Sequence, residues 1–243
     1  MKSLGKNKGF TLIEMIIVIA VFLFIVGAAL GIFIEIVKNQ KRILAEQQFL
    51  NQISYVEEYM SKALRMAKTE KGTEDCLIDR ATQGSGNHTD YMYLLTRPVT
   101  RSGEIYFTGI KFINQSDDNS CQEFFLAGAG TTADPYILRA TRSSVSGGTY
   151  PVVPDLDAAL TPATLQFDDA NPIIFSVNGS DGTPQASVCP DGAPLNCGAK
   201  LNTASVFQPQ PRVTILMNVK ISGDNQVRSI QTSVSRRNLN VAQ

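Results

Sequence analysis

Twenty consecutive residues, Met15 to Ile34, carry no charge, and the residue immediately before them is an acid, Glu14. Twenty helical residues rise about 30 Å, the thickness of a bilayer's hydrocarbon core, so the run predicts a membrane-length helix. An acid at its head is costly, because a carboxylate well inside a bilayer is disfavoured by roughly 2.5–3.5 kcal/mol on insertion scales. No Lys or Arg occurs between Phe10 and Val37, so the helix has no cation of its own for Glu14. The compensating charge has to come from a neighbouring molecule or from a freed amino terminus. Glu14 therefore reads as part of an assembly device.

Two plainer readings compete with this one. A secretory signal peptide has an apolar core of about 7–15 residues, which this run exceeds, although Gly27-Ala28-Ala29 would pass for a small-residue cleavage site. A plain signal anchor has no need of Glu14. Lys2, Lys6 and Lys8 precede the span and Lys38, Lys41 and Arg42 follow it, so the basic count alone does not orient it. Gly27 and Gly31 form a GxxxG pair of the kind that permits close helix approach in lipid.

The stretch Gly9-Phe10-Thr11-Leu12-Ile13-Glu14, behind a short basic leader, resembles the processing motif of the type IV pilin and pseudopilin superfamily. The resemblance implies that a prepilin peptidase cuts the leader after Gly9 on the cytoplasmic face and that the new first residue, Phe10, is N-methylated. It makes Glu14 the fifth mature residue. Pairing of Glu14 with the Phe10 ammonium of the next subunit would offset desolvation of both charges and set register. The implied partners are the peptidase, other pilin or pseudopilin subunits, an inner-membrane assembly platform and the membrane itself. The implied location is the cytoplasmic (inner) membrane as a single-pass protein with an extracytoplasmic head, and then a periplasmic or extracellular filament.

Beyond the membrane run the apolar positions Phe49, Ile53, Val56, Met60, Ala63 and Ala67 step by four and three, an amphipathic stripe. Apart from Gly27 and Gly31, no Gly or Pro interrupts Phe10 to Lys71, which predicts one helix of about sixty residues ended by Gly72. The expected organisation is a leader over 1–9, a membrane and filament-core helix over 10–37, its amphipathic continuation over 38–71, and a β-rich head over 72–243. The fold class is α+β, a long amino-terminal helix packed on an antiparallel sheet.

Within the head the pattern predicts strands at Tyr91–Leu95 (closed by Pro98), Glu104–Ile113, Phe124–Leu126, Tyr136–Leu138 and Ile173–Val177. The last two elements form a hairpin, Val213–Ile221 and Val227–Val234, turning at Ser222–Asn225. Gly128-Ala129-Gly130 reads as a turn, Ser143–Thr164 as a long loop, and Ser180–Pro211 as an irregular insert. The late hairpin, with Pro211 to Ile215 and Ile230 to Asn238, resembles the end of the larger minor pseudopilins, the J class of type II secretion, and of related large minor pilins.

All four cysteines follow the membrane run, which fits an oxidising compartment. Cys189 and Cys197 bracket a Pro- and Gly-rich loop and form the first candidate pair, leaving Cys76 with Cys121; three pairings are possible. No CxxC spacing supports a zinc site. The lone histidine, His88, sits in a loop composition without a nucleophile motif beside it. No catalytic constellation appears, and the chain is read as a structural protein, not an enzyme. No cofactor is expected. Calcium is the one candidate ion, for the acidic loops at Asp117-Asp118-Asn119, Asp168-Asp169 and Ser222–Asn225, although such residues also serve turn chemistry. Charge balances at 22 basic and 22 acidic residues, and removing the leader lysines leaves 19 against 22. That is no footprint for nucleic acid. The rival to a filament subunit is a signal-anchored binding or adhesion module whose helix only tethers it.

Overall fold

The computed structural model describes residues 9–70, 76–77, 91–101, 103–131, 133–145, 150, 154–162, 165–169, 171–178, 198–200, 211–221 and 226–235. The chain divides into two compact units at Gln48 and Phe49. One helix, α1 (Leu12–Arg65), contributes to both. In the first unit almost every side chain from Phe10 onward is exposed, including every large apolar residue from Phe10 to Ile36.

The second unit begins with the amphipathic half of α1. Phe49, Ile53, Val56, Met60, Ala63 and Leu64 are buried there, the stripe expected from the spacing with Leu64 added. The helix ends at Arg65, short of the expected stop at Gly72. The Met66 amide closes a tight last turn on the Ala63 carbonyl (3.1 Å), and the Met66 carbonyl accepts from the Gln115 amide (2.9 Å). The buried Tyr93 hydroxyl donates to the Leu64 carbonyl at 2.7 Å, satisfying a group that a helix terminus leaves open. The chain then pairs as β1 (Ala67–Lys68), so Ala67 is buried as expected but from a strand.

The remaining strands are β2 (Tyr91–Arg101), β3 (Glu104–Asn114), β4 (Ser120–Ala127), β5 (Ile137–Ser143), β6 (Leu156–Ala159), β7 (Leu165–Phe167), β8 (Ile173–Asn178), β9 (Gly198–Lys200), β10 (Arg212–Ile221) and β11 (Arg228–Ser235). All described pairings are antiparallel, and the main path runs β11-β10-β8-β3-β4-β5-β6. β1 and β2 lie along β3, β9 along β2, and β7 beside β10. On β10, Val213, Ile215, Met217 and Val219 are fully buried while the residues between them are not, the period-two burial of a sheet with one covered face. The α+β class is as expected.

Several boundaries differ from the sequence reading. β2 runs through Pro98 to Arg101, because β9 covers it only at Tyr91–Leu94. By Pro98 it is an edge strand, where the missing N–H is tolerated. The loop expected over Ser143–Thr164 contains β6, tied to β5 by Arg139–Asp157 (2.8 Å) and by the Leu160 amide on the Leu138 carbonyl (2.8 Å). The insert expected to be irregular over Ser180–Pro211 supplies β9, and most of the rest lies outside the described residues. The expected Gly128–Gly130 turn is present: Gly128 has φ +100° and a Cβ there would sit 2.3 Å from the Pro135 carbonyl oxygen.

Cys76 and Cys121 form a disulfide, with Cα atoms 5.6 Å apart. This is the expected pairing; Cys189 and Cys197 lie outside the described residues. The bridge sits beside Glu70, a buried carboxylate that the sequence reading did not single out. Its Oε1 accepts from the amides of Cys76 (2.7 Å) and Leu77 (3.1 Å), and its own amide donates to the Tyr91 carbonyl (2.8 Å). Disulfide and carboxylate together hold the chain after α1 against β4 and β2. The bridge spans 45 residues in sequence, which in the chain-entropy model corresponds to about 4 kcal/mol. Replacing both Cys76 and Cys121 by Ser should therefore lower unfolding stability by about 2–5 kcal/mol, read as a shift of the denaturant midpoint against the unaltered chain.

Candidate functional site

The residues around Glu14 are built from the backbone outward. α1 begins at Leu12, so Thr11 is the capping residue and Glu14 stands at the third helical position. The Glu14 carboxylate reaches back over this turn: Oε2 accepts from the Thr11 backbone N–H and from the Thr11 hydroxyl, both at 3.3 Å. The Met15 amide donates to the Thr11 carbonyl at 3.3 Å, the first bond of the ladder. This is the carboxylate half of a capping box, with a negative charge at the positive end of the helix dipole. The signal was legible as Thr11-x-x-Glu14 ahead of an apolar run, and the sequence reading assigned Glu14 without using it.

The cap does not neutralise the acid. Among the described residues Glu14 has no ion-pair partner, and the first ion pair on α1 is Arg42–Glu46 at 3.5 Å, more than a membrane thickness along the sequence. Phe10, Leu12 and Ile13 beside it are 75 %, 79 % and 67 % exposed. Gly9 is equally open, for a Cβ built there meets nothing within 4 Å. Among the described residues no contact requires glycine at this position, and the same holds for Gly27 and Gly31. This turn presents a small residue, an exposed aromatic after it and, among the described residues, a carboxylate without a cation.

The remaining candidates are dispersed. The Asp117 carboxylate is held in its own turn, where Oδ2 accepts from the Ser120 hydroxyl (2.8 Å) and the Gln122 amide (2.6 Å). Asp118 and Asn119 complete that turn with positive φ values of 51° and 54°. Asp168 accepts from the Asn171 amide (3.1 Å), and Asp169 pairs with Lys220 at 3.4 Å. Among the described residues no three His, Cys, Asp or Glu side chains converge as a metal site. His88 and the Ser222–Asn225 turn lie outside them.

α1 is long and apolar enough to cross a membrane. Residues 4–30 match the family model described as the prokaryotic N-terminal methylation motif, the signature of type IV pilins and pseudopilins. The chain thus carries that signature over the segment that holds Gly9, Phe10 and Glu14. No curated protein and no solved structure matches the chain. Motif and helix together fit a membrane-anchored, filament-forming protein, and the motif fits a structural subunit better than an enzyme.

If the Thr11–Glu14 pair caps α1, Thr11→Ala should loosen the first turn by about 1 kcal/mol. Amide hydrogen exchange at Glu14 and Met15 in detergent micelles should quicken about fivefold, while exchange at Val56 and Met60 stays unchanged.

Proposed function

We propose that this chain is a structural subunit, a minor pilin or pseudopilin, of a type IV pilus or type II secretion-like filament. In this reading it is inserted in the inner membrane with its head on the extracytoplasmic side. Prepilin peptidase cuts after Gly9, Phe10 is N-methylated, and an assembly platform draws the Phe10–Val37 helix into a filament beside other subunits. The length of the head, its late β10–β11 hairpin and the insert before it favour a large, low-copy subunit.

One observation carries the reading. A carboxylate whose only described partner is Thr11 stands at the head of twenty uncharged side chains, all of them exposed. Lipid satisfies the apolar surface but not the acid. A helix bundle made of further subunits satisfies both, because each neighbour brings apolar surface and, once its leader is removed, an amino-terminal ammonium. Exchange of lipid for such a neighbour then leaves the apolar burial roughly level and gains the ion pair. Glu14 selects the register, and the apolar faces of adjacent helices supply packing.

The acid can be tested with its cap kept intact. Glu14→Gln retains an oxygen that accepts from Thr11 but removes the charge, and Glu14→Ala removes both. Each variant should be inserted and cut normally, yet fall at least tenfold in sheared filaments, because an uncompensated partner in an apolar site costs about 3–5 kcal/mol. Incorporation of Glu14→Gln at the unaltered level would overturn the ion-pair role.

A further inference from the structure

We infer that the head carries a subsite for a neutral sugar ring, in the cavity between the β4–β5 turn and the β7–β10 pair. The cavity has a volume of about 400 Å³, and its walls include Gly130, Tyr136, Gln166, Phe167, Asp169 and Lys220. Turn geometry builds the aromatic wall. Gly130 has φ +72°, and a Cβ there would sit 2.4 Å from Tyr136 Cε2, so only glycine lets the Tyr136 ring lie against the turn. The turn is closed by its own bonds: the Ala129 amide donates to Asp134 Oδ2 at 2.9 Å, and the Asp134 amide to the Thr131 hydroxyl at 3.0 Å. Sheet register builds the facing wall. Gln166 on β7 and Lys220 on β10 are direct cross-strand partners, which puts both side chains on one face of the sheet.

The polar groups on these walls balance in charge but not in hydrogen bonds. Lys220 Nζ donates to Asp169 Oδ2 at 3.4 Å, so one cation and one anion cancel. Asp169 stands exposed at the rim, while Tyr136, Gln166 and Lys220 are half-buried. Asp169 Oδ1 and the remaining Lys220 protons are left to bond, and among the described residues neither the Tyr136 hydroxyl nor the Gln166 amide has a hydrogen-bond partner. Donors and acceptors thus surround an aromatic ring with no net charge. An ion gains no net attraction from such walls, and a hydrocarbon would strip their polar groups of water without replacing it. The vicinal hydroxyls of a pyranose each donate and accept, and its C–H groups are drawn to the electron-rich ring of Tyr136. The cavity lies wholly in the second unit and is present whether or not the chain assembles through Glu14.

Titration of the isotope-labelled full chain in phosphocholine micelles, which carry no sugar headgroup, tests this by nuclear magnetic resonance. The probes are the methyl pyranosides of glucose, mannose and galactose, with cyclohexanol and glucuronate as apolar and charged controls. At least one pyranoside should shift the Gln166 side-chain amide saturably, at least tenfold tighter than either control. Gln166→Ala should weaken that binding about tenfold, and Tyr136→Phe, which keeps the ring, about threefold. No saturable shift with any of the three pyranosides, a control binding as tightly as the sugar, or unchanged affinity in Gln166→Ala would each overturn the proposal. Both variants remove groups that no described residue bonds, so neither should disturb the fold, and unaltered backbone amide shifts elsewhere in the head check this.

Discussion

The desolvation cost of one carboxylate organises the amino-terminal half of this protein. Glu14 can cap its own helix, and does so through Thr11, but a cap supplies dipoles and not a countercharge. Everything nearby repeats that demand: no cation from Phe10 to Val37, exposed apolar side chains throughout, and glycines at 9, 27 and 31 that no contact among the described residues explains. An apolar helix alone would be content in lipid. The acid makes lipid an incomplete solvent.

The second unit obeys different physics. There the same helix turns amphipathic, and its stripe from Phe49 to Leu64 joins one apolar cluster with Tyr93, Phe112, Phe124, Ile215 and Met217. Burial of the helix face against a sheet makes the head self-sufficient. The Cys76–Cys121 bridge and Glu70 then fasten the chain beyond the helix, within the same apolar cluster. Two halves of one helix are thus stabilised by unlike means, the first by what surrounds the chain and the second by the chain itself.

How much of this was legible in the residues follows from the range of each interaction. Periodicity exposed the amphipathic stripe, the β10–β11 hairpin and the Glu104–Asn114 strand, because those patterns repeat over many residues. β1 and β7 are two and three residues long and β6 has mostly exposed side chains, so no periodicity marks them. The helix stop at Arg65 depends on Tyr93 and Gln115, partners distant in sequence, and Gly72 was the nearer but wrong cue. The methylation-motif segment was legible because Gly9, Phe10 and Glu14 lie close together in sequence. The capping role of Thr11 is equally local, set by the Thr11-x-x-Glu14 spacing. Glu70 had no sequence signal, since its partners Cys76, Leu77 and Tyr91 are brought to it only in the fold.

The central claim is that Glu14 awaits an amino terminus that does not yet exist in the uncut chain. The mass of the amino-terminal peptide, taken from protein purified from native membranes with an active peptidase, tests this most directly. The account predicts a chain beginning at N-methylated Phe10. A chain that retains Met1 to Gly9, or one cut near Ala29, would contradict it and leave a tethered or released head whose Glu14 has no partner to find.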